Sequence, residues 1–152
     1  ISAAEARSAR ALLTDEELHL FLTMDPRDRR HAMNVMRWLQ GHANPSDMLL
    51  AAALLHDVGK GSQRLWHRAS FTVLEMISPQ LLAHLGSQDG ARWQRALWTL
   101  SHHAGLGARI LSKSGTQPPI VALVAKHTDR SIHVMELPES DLEWLIIADN
   151  AC

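Results

Sequence analysis

The amino-acid sequence predicts an all-α protein built as a single-domain helical bundle. Helix-start signals recur along the chain, and apolar residues repeat at spacings of three and four. No stretch alternates apolar with polar residues for long enough to form a sheet. With 152 residues, of which 46% are hydrophobic, the chain can bury one ordinary core. We therefore predict one domain over residues 1–152.

Capping signals indicate where the first helices begin. Thr14 and Glu17 form a capping box for a short helix that ends near residue 23. Asp25 followed by Pro26 predicts the N-cap and first turn of a helix that extends to about residue 41. The sequence Pro45-Ser46-Asp47 starts the next helix, which is almost wholly apolar and ends near residue 59.

Apolar stripes and prolines predict the later helices. Pro118-Pro119 primes one of them, and Pro138-Glu139-Ser140-Asp141 starts the last. We expect helices at about 62–77, 80–85, 91–104, 106–112 and 118–127, and from about 140 onwards. Residues 128–137 are expected to form a loop with a short extended piece at 132–135.

Charge and cysteine content narrow the classes of function. The net charge is −1, with 15 basic and 16 acidic residues, so no extended nucleic-acid or membrane surface is expected. The apolar run at 48–55 is far shorter than the ~20 residues that span a bilayer. The chain opens without a basic-then-apolar leader, and its single cysteine, Cys152, excludes an internal disulfide. We expect a cytoplasmic protein, which could be a trimmed part of a longer one.

The sequence His56-Asp57-Val58-Gly59-Lys60 closes that apolar run and is the most informative motif. Burying an imidazole beside a carboxylate is costly without a partner, and a metal cation satisfies both. Further histidines and an aspartate lie on the apolar edges of other predicted helices, and inward polar groups in a bundle can build a metal site. The candidate metal ligands are His31, His56, Asp57, His103, His127 and Asp149.

Four imidazoles and two carboxylates are enough for two divalent cations, with Asp57 bridging them. Mixed nitrogen and oxygen ligands favour transition metals over calcium, with iron and manganese expected ahead of zinc, cobalt, nickel and magnesium. Two such metals lower the pKa of a bridging water and hold the attacking and leaving oxygens of a phosphoryl group. The ligand set therefore predicts a metal-centred hydrolase.

These residues resemble the HD superfamily of metal-dependent phosphohydrolases, which is named for its adjacent His-Asp pair. The resemblance extends over residues 31–149. It implies that His31 is the first ligand, that His56 and Asp57 are the central pair, and that His103 opens the family's His-x-x-x-Gly segment. It further implies that His127 and Asp149 complete the set. Lys60 resembles the lysine that steers a substrate phosphate, so Asp57 and Lys60 are the predicted catalytic residues.

The branch of the superfamily is indicated by the residue after His127. The cyclic-dinucleotide phosphodiesterases carry a second histidine there and a Gly-Tyr-Pro signature, whereas this chain has Thr128 and no tyrosine. The His127-Thr128 pair is more similar to the bacterial di-iron branch that splits diadenosine tetraphosphate. That branch continues with glycine, whereas this chain continues with Asp129-Arg130. The resemblance implies a small phosphorylated substrate, nucleotide-like or another phosphate ester.

Several alternatives stay open from the sequence. The chain could be a non-catalytic HD-type module that binds metal or nucleotide, or a di-iron oxygenase that cleaves C–C or C–P bonds. His56 and Asp57 could form a structural buried pair, and His102 competes with His103, although His103 lies on the core stripe. Candidate substrate-binding residues are Lys60, Arg64, His67, Lys126 and Arg130. For Arg64, Lys126 and Arg130, the sequence favours ordinary surface charges over phosphate ligands. The oligomeric state is not predicted.

Overall fold

Helices form the regular secondary structure of the chain. The computed structural model describes residues 1–61, 63, 65–129, 138 and 140–152, and within these ranges it contains no strand. Its helices are α1 (Ala3–Leu12), α2 (Asp15–Thr23), α3 (Pro26–His42), α4 (Asp47–Leu55), α5 (Leu65–Ile77), α6 (Pro79–Leu85), α7 (Arg92–Lys113), α8 (Pro118–Lys126) and α9 (Asp141–Ala151), with a 3₁₀ turn at Val58–Lys60 after α4. The all-α prediction is confirmed.

Side-chain caps start several helices as the sequence predicts. The Thr14 Oγ1 atom accepts the Glu17 N–H at 3.3 Å, and the Glu17 carboxylate accepts the Thr14 N–H at 2.9 Å. Asp25 caps α3 through the Arg27 N–H at 3.0 Å, with Pro26 in the first turn. Each such cap satisfies a backbone donor that the helix leaves unpaired, which is typically worth about 1 kcal/mol.

Three local predictions differ from the structure. Helix α1 was not expected, although Ser2 and Glu5 form a capping box at its start. The two helices expected at 91–104 and 106–112 are one continuous helix, α7, because a helix tolerates a glycine such as Gly105 at a cost of about 1 kcal/mol. Helix α4 ends at Leu55 rather than near 59, because the chain turns into the 3₁₀ segment. The extended piece expected at 132–135 lies outside the described residues.

The hydrophobic core is centred on α4. Every residue from 49 to 55 is buried, so this helix presents an apolar surface all round. Helices α3, α8 and α9 pack against it, with α1 and α2 completing the surround. Helix α7 packs against α8 and the 3₁₀ turn, and α5 and α6 pack against α7. The residues that follow α4 therefore emerge from the core between several helices.

None of the described helices combines the length and the apolar character that a membrane-spanning segment needs.

Candidate metal centre

The six predicted ligands come together around the C-terminal end of α4. His56 is the C-cap of α4, and Asp57 is the N-cap of the 3₁₀ turn. His127 is the C-cap of α8. His31 lies in α3, His103 in α7 and Asp149 in α9. Five helices and one turn therefore converge on one cluster, as expected for a metal site in a helical bundle.

Asp57 lies between two groups of ligand atoms. In the first group, Asp149 Oδ1 is 2.7 Å from His31 Nε2 and 3.3 Å from His56 Nε2. In the second group, His103 Nε2 is 3.2 Å from His127 Nε2. Asp57 Oδ1 is 3.4 Å from His56 Nε2 and 3.5 Å from His103 Nε2. The carboxylate thus stands where a ligand shared by two cations would stand.

Backbone carbonyls orient three of the imidazoles in the same way. The Nδ1 atom of His56 lies 2.9 Å from the Ala53 carbonyl oxygen, three residues earlier. The corresponding distances are 2.7 Å for His103 and 2.7 Å for His127, again to the carbonyl three residues earlier. Because a carbonyl oxygen only accepts, Nδ1 carries the proton and donates it. The Nε2 lone pair of a neutral imidazole then faces the cluster, which is the arrangement that metal-binding histidines use.

Two buried polar atoms at the centre of the cluster lack a hydrogen-bond partner. His56 and Asp57 have side chains that are 0% and 1% exposed. Among the described residues, neither His56 Nε2 nor Asp57 Oδ1 makes a hydrogen bond. Leaving such a buried group unsatisfied costs about 1–3 kcal/mol. A cation between these atoms would satisfy both, so the residues present fit a bound metal.

The electrostatics of the cluster favour the positively charged form of His56. Burial alone lowers the pKa of His56, but the Asp57 and Asp149 carboxylates outweigh it and raise that pKa to about 10. Burial likewise opposes ionisation of Asp57, yet the neighbouring His56 charge holds its pKa well below the usual range. Burial and the charges of His56 and His103 lower the pKa of His127 to about 3. Without metal, His56 is therefore the positively charged imidazolium, whereas His127 is neutral and keeps only its Nδ1 proton.

Lys60 contacts the cluster through the second carboxylate oxygen of Asp57. Its Nζ atom donates to Asp57 Oδ2 at 2.6 Å, and its side chain is 22% exposed. Asp57 therefore turns one oxygen towards the histidines and the other towards a lysine. Lys60, the predicted phosphate-steering residue, is therefore hydrogen-bonded directly to a candidate metal ligand.

A cavity of about 760 Å³ opens against the cluster. Volumes of about 300–1,000 Å³ are typical of small-molecule sites. Its lining combines cluster residues with side chains of α5, α7 and α9. The described lining residues are Lys60, Arg68, Phe71, Thr72, Glu75, Leu82, Leu100, Ser101, His103, His127, Thr128, Asp129, Ile146, Asp149 and Asn150.

Of the remaining predicted substrate-binding residues, the two that the structure describes, Lys126 and His67, do not line this cavity. Lys126 is exposed and is not among the described lining residues. His67 is buried and lines a separate pocket of about 180 Å³ together with Trp66 and Trp93. Arg64 and Arg130 lie outside the described residues.

The structure distinguishes His103 from its neighbour His102. His102 is exposed, stacks on Trp98 at 4.4 Å between ring centroids, and has its Nδ1 atom 2.8 Å from the Trp98 carbonyl oxygen. His103 instead faces His127 in the cluster. The structure thus places His103, and not His102, in the cluster.

Sequence reasoning missed Arg68 and its partner Asp28. Arg68 lines the cavity from α5, and its two Nη atoms each bond one oxygen of Asp28 in α3 at 2.6 Å. The two residues are 40 positions apart, so no local pattern links them. The available signal was the position of Asp28 one helical turn before His31.

Comparison with known proteins gives one match. The family model of the HD domain matches residues 29–150, a range that includes all six clustered residues. No curated protein and no solved structure matches the chain. The HD domain family consists mostly of metal-dependent hydrolases, which agrees with a cluster rich in imidazole and carboxylate groups. The matched range covers most of the chain, and the protein belongs to the HD domain family.

Proposed function

We propose that the protein is a metal-dependent phosphohydrolase that cleaves a phosphate ester or phosphoanhydride of a nucleotide-like substrate. The observation that carries the proposal is the position of Asp57 Oδ1, 3.4 Å from His56 Nε2 and 3.5 Å from His103 Nε2. A carboxylate between two imidazole groups suits a pair of cations that share it as a ligand.

The cluster offers two overlapping groups of candidate ligands. His31, His56 and Asp149 offer ligand atoms that all lie within 4.8 Å of one another, and so do His56, Asp57 and His127. We assign the first group to one cation and His127, with His103 at 3.2 Å from it, to the other, and Asp57 would be shared by both. Mixed nitrogen and oxygen ligands suit iron or manganese. Bound there, the metals would supply a water of lowered pKa and positive charge for the phosphoryl oxygens.

The chain's own residues perform the remaining steps. Asp57 accepts a hydrogen bond from the attacking water and so orients its oxygen towards phosphorus. The new bond joins the water oxygen to phosphorus, while the bond from phosphorus to the leaving oxygen breaks. One proton of the water stays on the new phosphate oxygen, and the other passes through solvent to the leaving oxygen. Lys60, held at 2.6 Å from Asp57 Oδ2, places a positive charge beside the phosphoryl group as negative charge develops on it.

The charge of the cavity supports a role for the metals in binding. Among the described lining residues, three carboxylates (Glu75, Asp129 and Asp149) stand against two cations (Lys60 and Arg68). The described part of the lining is therefore slightly negative in formal charge, and bound divalent cations would make it attractive to an anionic substrate. The volume of about 760 Å³ leaves room for a nucleotide beyond the reacting phosphate.

A hydrolysis panel tests the proposal. The purified protein, loaded with manganese or iron, would be assayed with p-nitrophenyl phosphate, nucleoside mono-, di- and triphosphates and diadenosine tetraphosphate. Asp57→Ala should lower the rate by roughly 1,000-fold, which corresponds to several kcal/mol of lost transition-state stabilisation. Asp47→Ala is the matched control, because Asp47 is an exposed carboxylate in the adjoining α4 helix, and it should keep full activity.

The outcomes separate the competing functions. A protein that holds two metals but hydrolyses nothing on the panel contradicts the proposal. Tight nucleotide binding without turnover would support the non-catalytic module instead. Oxygen consumption with a diol or a phosphonate would support the oxygenase.

A further inference from the structure

A buried ion pair on the wall of the cavity has no part in the chemistry described so far. Arg68 of α5 and Asp28 of α3 form a two-point contact, with Nη1 to Oδ1 and Nη2 to Oδ2 both at 2.6 Å. The Asp28 side chain is 5% exposed and that of Arg68 is 21% exposed. Such a fork-to-fork pair fixes the plane of the guanidinium group.

Among the described residues, Asp28 takes up only part of the hydrogen-bonding capacity of Arg68. A guanidinium group carries five N–H donors, and the two-point contact with Asp28 uses two of them. The side chain lines the cavity and retains solvent access. Arg68 is therefore a rigid cation with further donors on the wall that a substrate would contact, and rigid donors bind anions at a lower entropic cost.

The two cations of the cavity wall are anchored at different places. Lys60 is bonded to Asp57, inside the ligand cluster. Arg68 is bonded to Asp28, which lies one helical turn before His31 and outside the cluster. A phosphate at the candidate metals would contact Lys60 first. Arg68 lines the same cavity from a separate anchor, so it supplies a second cation for a further anionic group of the same ligand.

We propose that Arg68, positioned by Asp28, binds a second phosphate of the substrate and makes the site selective for compounds with two or more linked phosphates. The proposal rests on the proposed function, because it takes the cavity at the metal centre as the substrate site. It adds a substrate class, phosphoanhydrides over phosphate monoesters, and a residue that selects it.

A purely structural role for the pair makes a different prediction. Helix α5 packs mainly on α6 and α7, so the Arg68–Asp28 contact also ties α5 to α3. Loss of that contact would lower the stability of the fold and would lower the affinity for every ligand to a similar extent. Only a role in substrate binding changes the ratio between ligands that have one phosphate and ligands that have two.

The test is calorimetric titration of the manganese-loaded protein with imidodiphosphate, which resists hydrolysis, and with inorganic phosphate. The wild-type protein should bind imidodiphosphate more tightly. Arg68→Lys keeps the positive charge but loses the planar, forked donor geometry of the guanidinium group. It should lower the affinity for imidodiphosphate about tenfold, as expected for lost hydrogen bonds to a charged group. Phosphate affinity should change less than about twofold, within the ordinary effect of a surface substitution. Arg95→Lys, an exposed arginine of α7, is the matched control and should change neither.

A second variant covers the case in which Arg68→Lys fails to fold. Asp28→Asn keeps Arg68 but loosens its anchor, and it should shift the ratio of affinities in the same direction by a smaller factor. The proposal is overturned if both ligands lose affinity equally, or if the ratio of the two affinities is unchanged while the melting temperature falls. The binding measurement needs no turnover. Selectivity for imidodiphosphate in a protein without hydrolase activity would therefore refute the proposed function alone, and hydrolysis without that selectivity would refute the role of Arg68 alone.

Discussion

Gly59 lies directly against Gly107, and this contact brings the 3₁₀ turn onto α7. A Cβ atom added to Gly59 would lie 2.0 Å from the His103 carbonyl oxygen and 2.4 Å from the Gly107 backbone nitrogen. Gly107 is buried, and its own Cβ position is crowded by Gly59 and Val58 at 3.2 Å and 3.3 Å. The two glycines therefore set the distance between Asp57 and His103, the residues on which a two-metal centre depends.

Gly59→Ala should damage both the fold and the metal centre. The added methyl group meets backbone atoms that cannot rotate away, so the turn and α7 must separate. Overpacking of this kind costs about 1–3 kcal/mol. We expect a lower melting temperature, measured by calorimetry, and loss of the metal that we propose at His103 and His127, measured by elemental analysis.

Gly105→Ala is the matched control for that substitution. Gly105 is an exposed residue of the same helix, and no described atom lies within 4 Å of its Cβ position. Alanine should stabilise α7 by up to about 1 kcal/mol. If Gly59→Ala proved as harmless as Gly105→Ala, the close contact of the two glycines would not control the centre.

The neighbouring histidines of α7 should differ sharply in their effect on metal content. His103→Ala removes a group with Nε2 at 3.2 Å from His127 Nε2, so the purified protein should lose up to one metal per chain. His102→Ala removes an exposed side chain stacked on Trp98 and should leave metal content unchanged. Elemental analysis of the two variants in parallel checks this, and the reverse result would assign the ligand to His102.

Metal binding should compete with a proton. Two carboxylates raise the pKa of His56 to about 10 although burial opposes this, so at neutral pH the imidazole must lose a proton before it can bind a cation. Affinity for manganese should therefore rise by about tenfold per pH unit between pH 6 and 8. Calorimetric titration in buffers of different ionisation enthalpy should show about one proton released. An affinity independent of pH would show that His56 is neutral without metal, or that it is not a ligand.

The same group should make the metal-depleted protein less stable in alkali. A folded-state pKa of about 10, above the usual 6.5, stabilises the fold fully below pH 6.5, and this contribution is lost as the pH rises towards 10. His127, with its pKa lowered to about 3, acts only on the acid side, between pH 6.5 and 3. The melting temperature of chelator-treated protein should therefore fall between pH 6.5 and 9.5.

His56→Gln isolates that effect. The glutamine does not titrate, so the alkaline decline should shrink by the contribution of His56, which is on the order of a few kcal/mol for a shift of this size. Thermal unfolding of both proteins across the pH range provides the comparison. An equal decline in the variant would place its cause elsewhere.

Much of the fold and most members of the candidate metal centre could be predicted from the sequence because their signals are local. The caps at Thr14 and Asp25 are formed by residues within three positions of one another. The six clustered residues can be recognised in the sequence as polar groups on the apolar edges of predicted helices. The motif at 56–60 identifies the central pair among them. The chain supplied no comparable signal for their distances, which depend on how α7 and α8 pack around α4.

The parts that could not be predicted are long-range. The Arg68–Asp28 pair joins residues 40 positions apart, and neither residue belongs to a motif. In the sequence, Gly105 and Gly107 look like a helix break, because glycine lowers helix propensity. In the structure, α7 remains one helix, and the absence of a side chain at Gly107 admits the 3₁₀ turn.

If two cations share Asp57, an anomalous-scattering map from crystals of the purified protein will show both of them. We expect two peaks, one within ligand distance of His31, His56 and Asp149 and the other within ligand distance of His103 and His127, with the Asp57 carboxylate between them. A map without a metal peak at these side chains, from protein that had not been exposed to chelators, would contradict it.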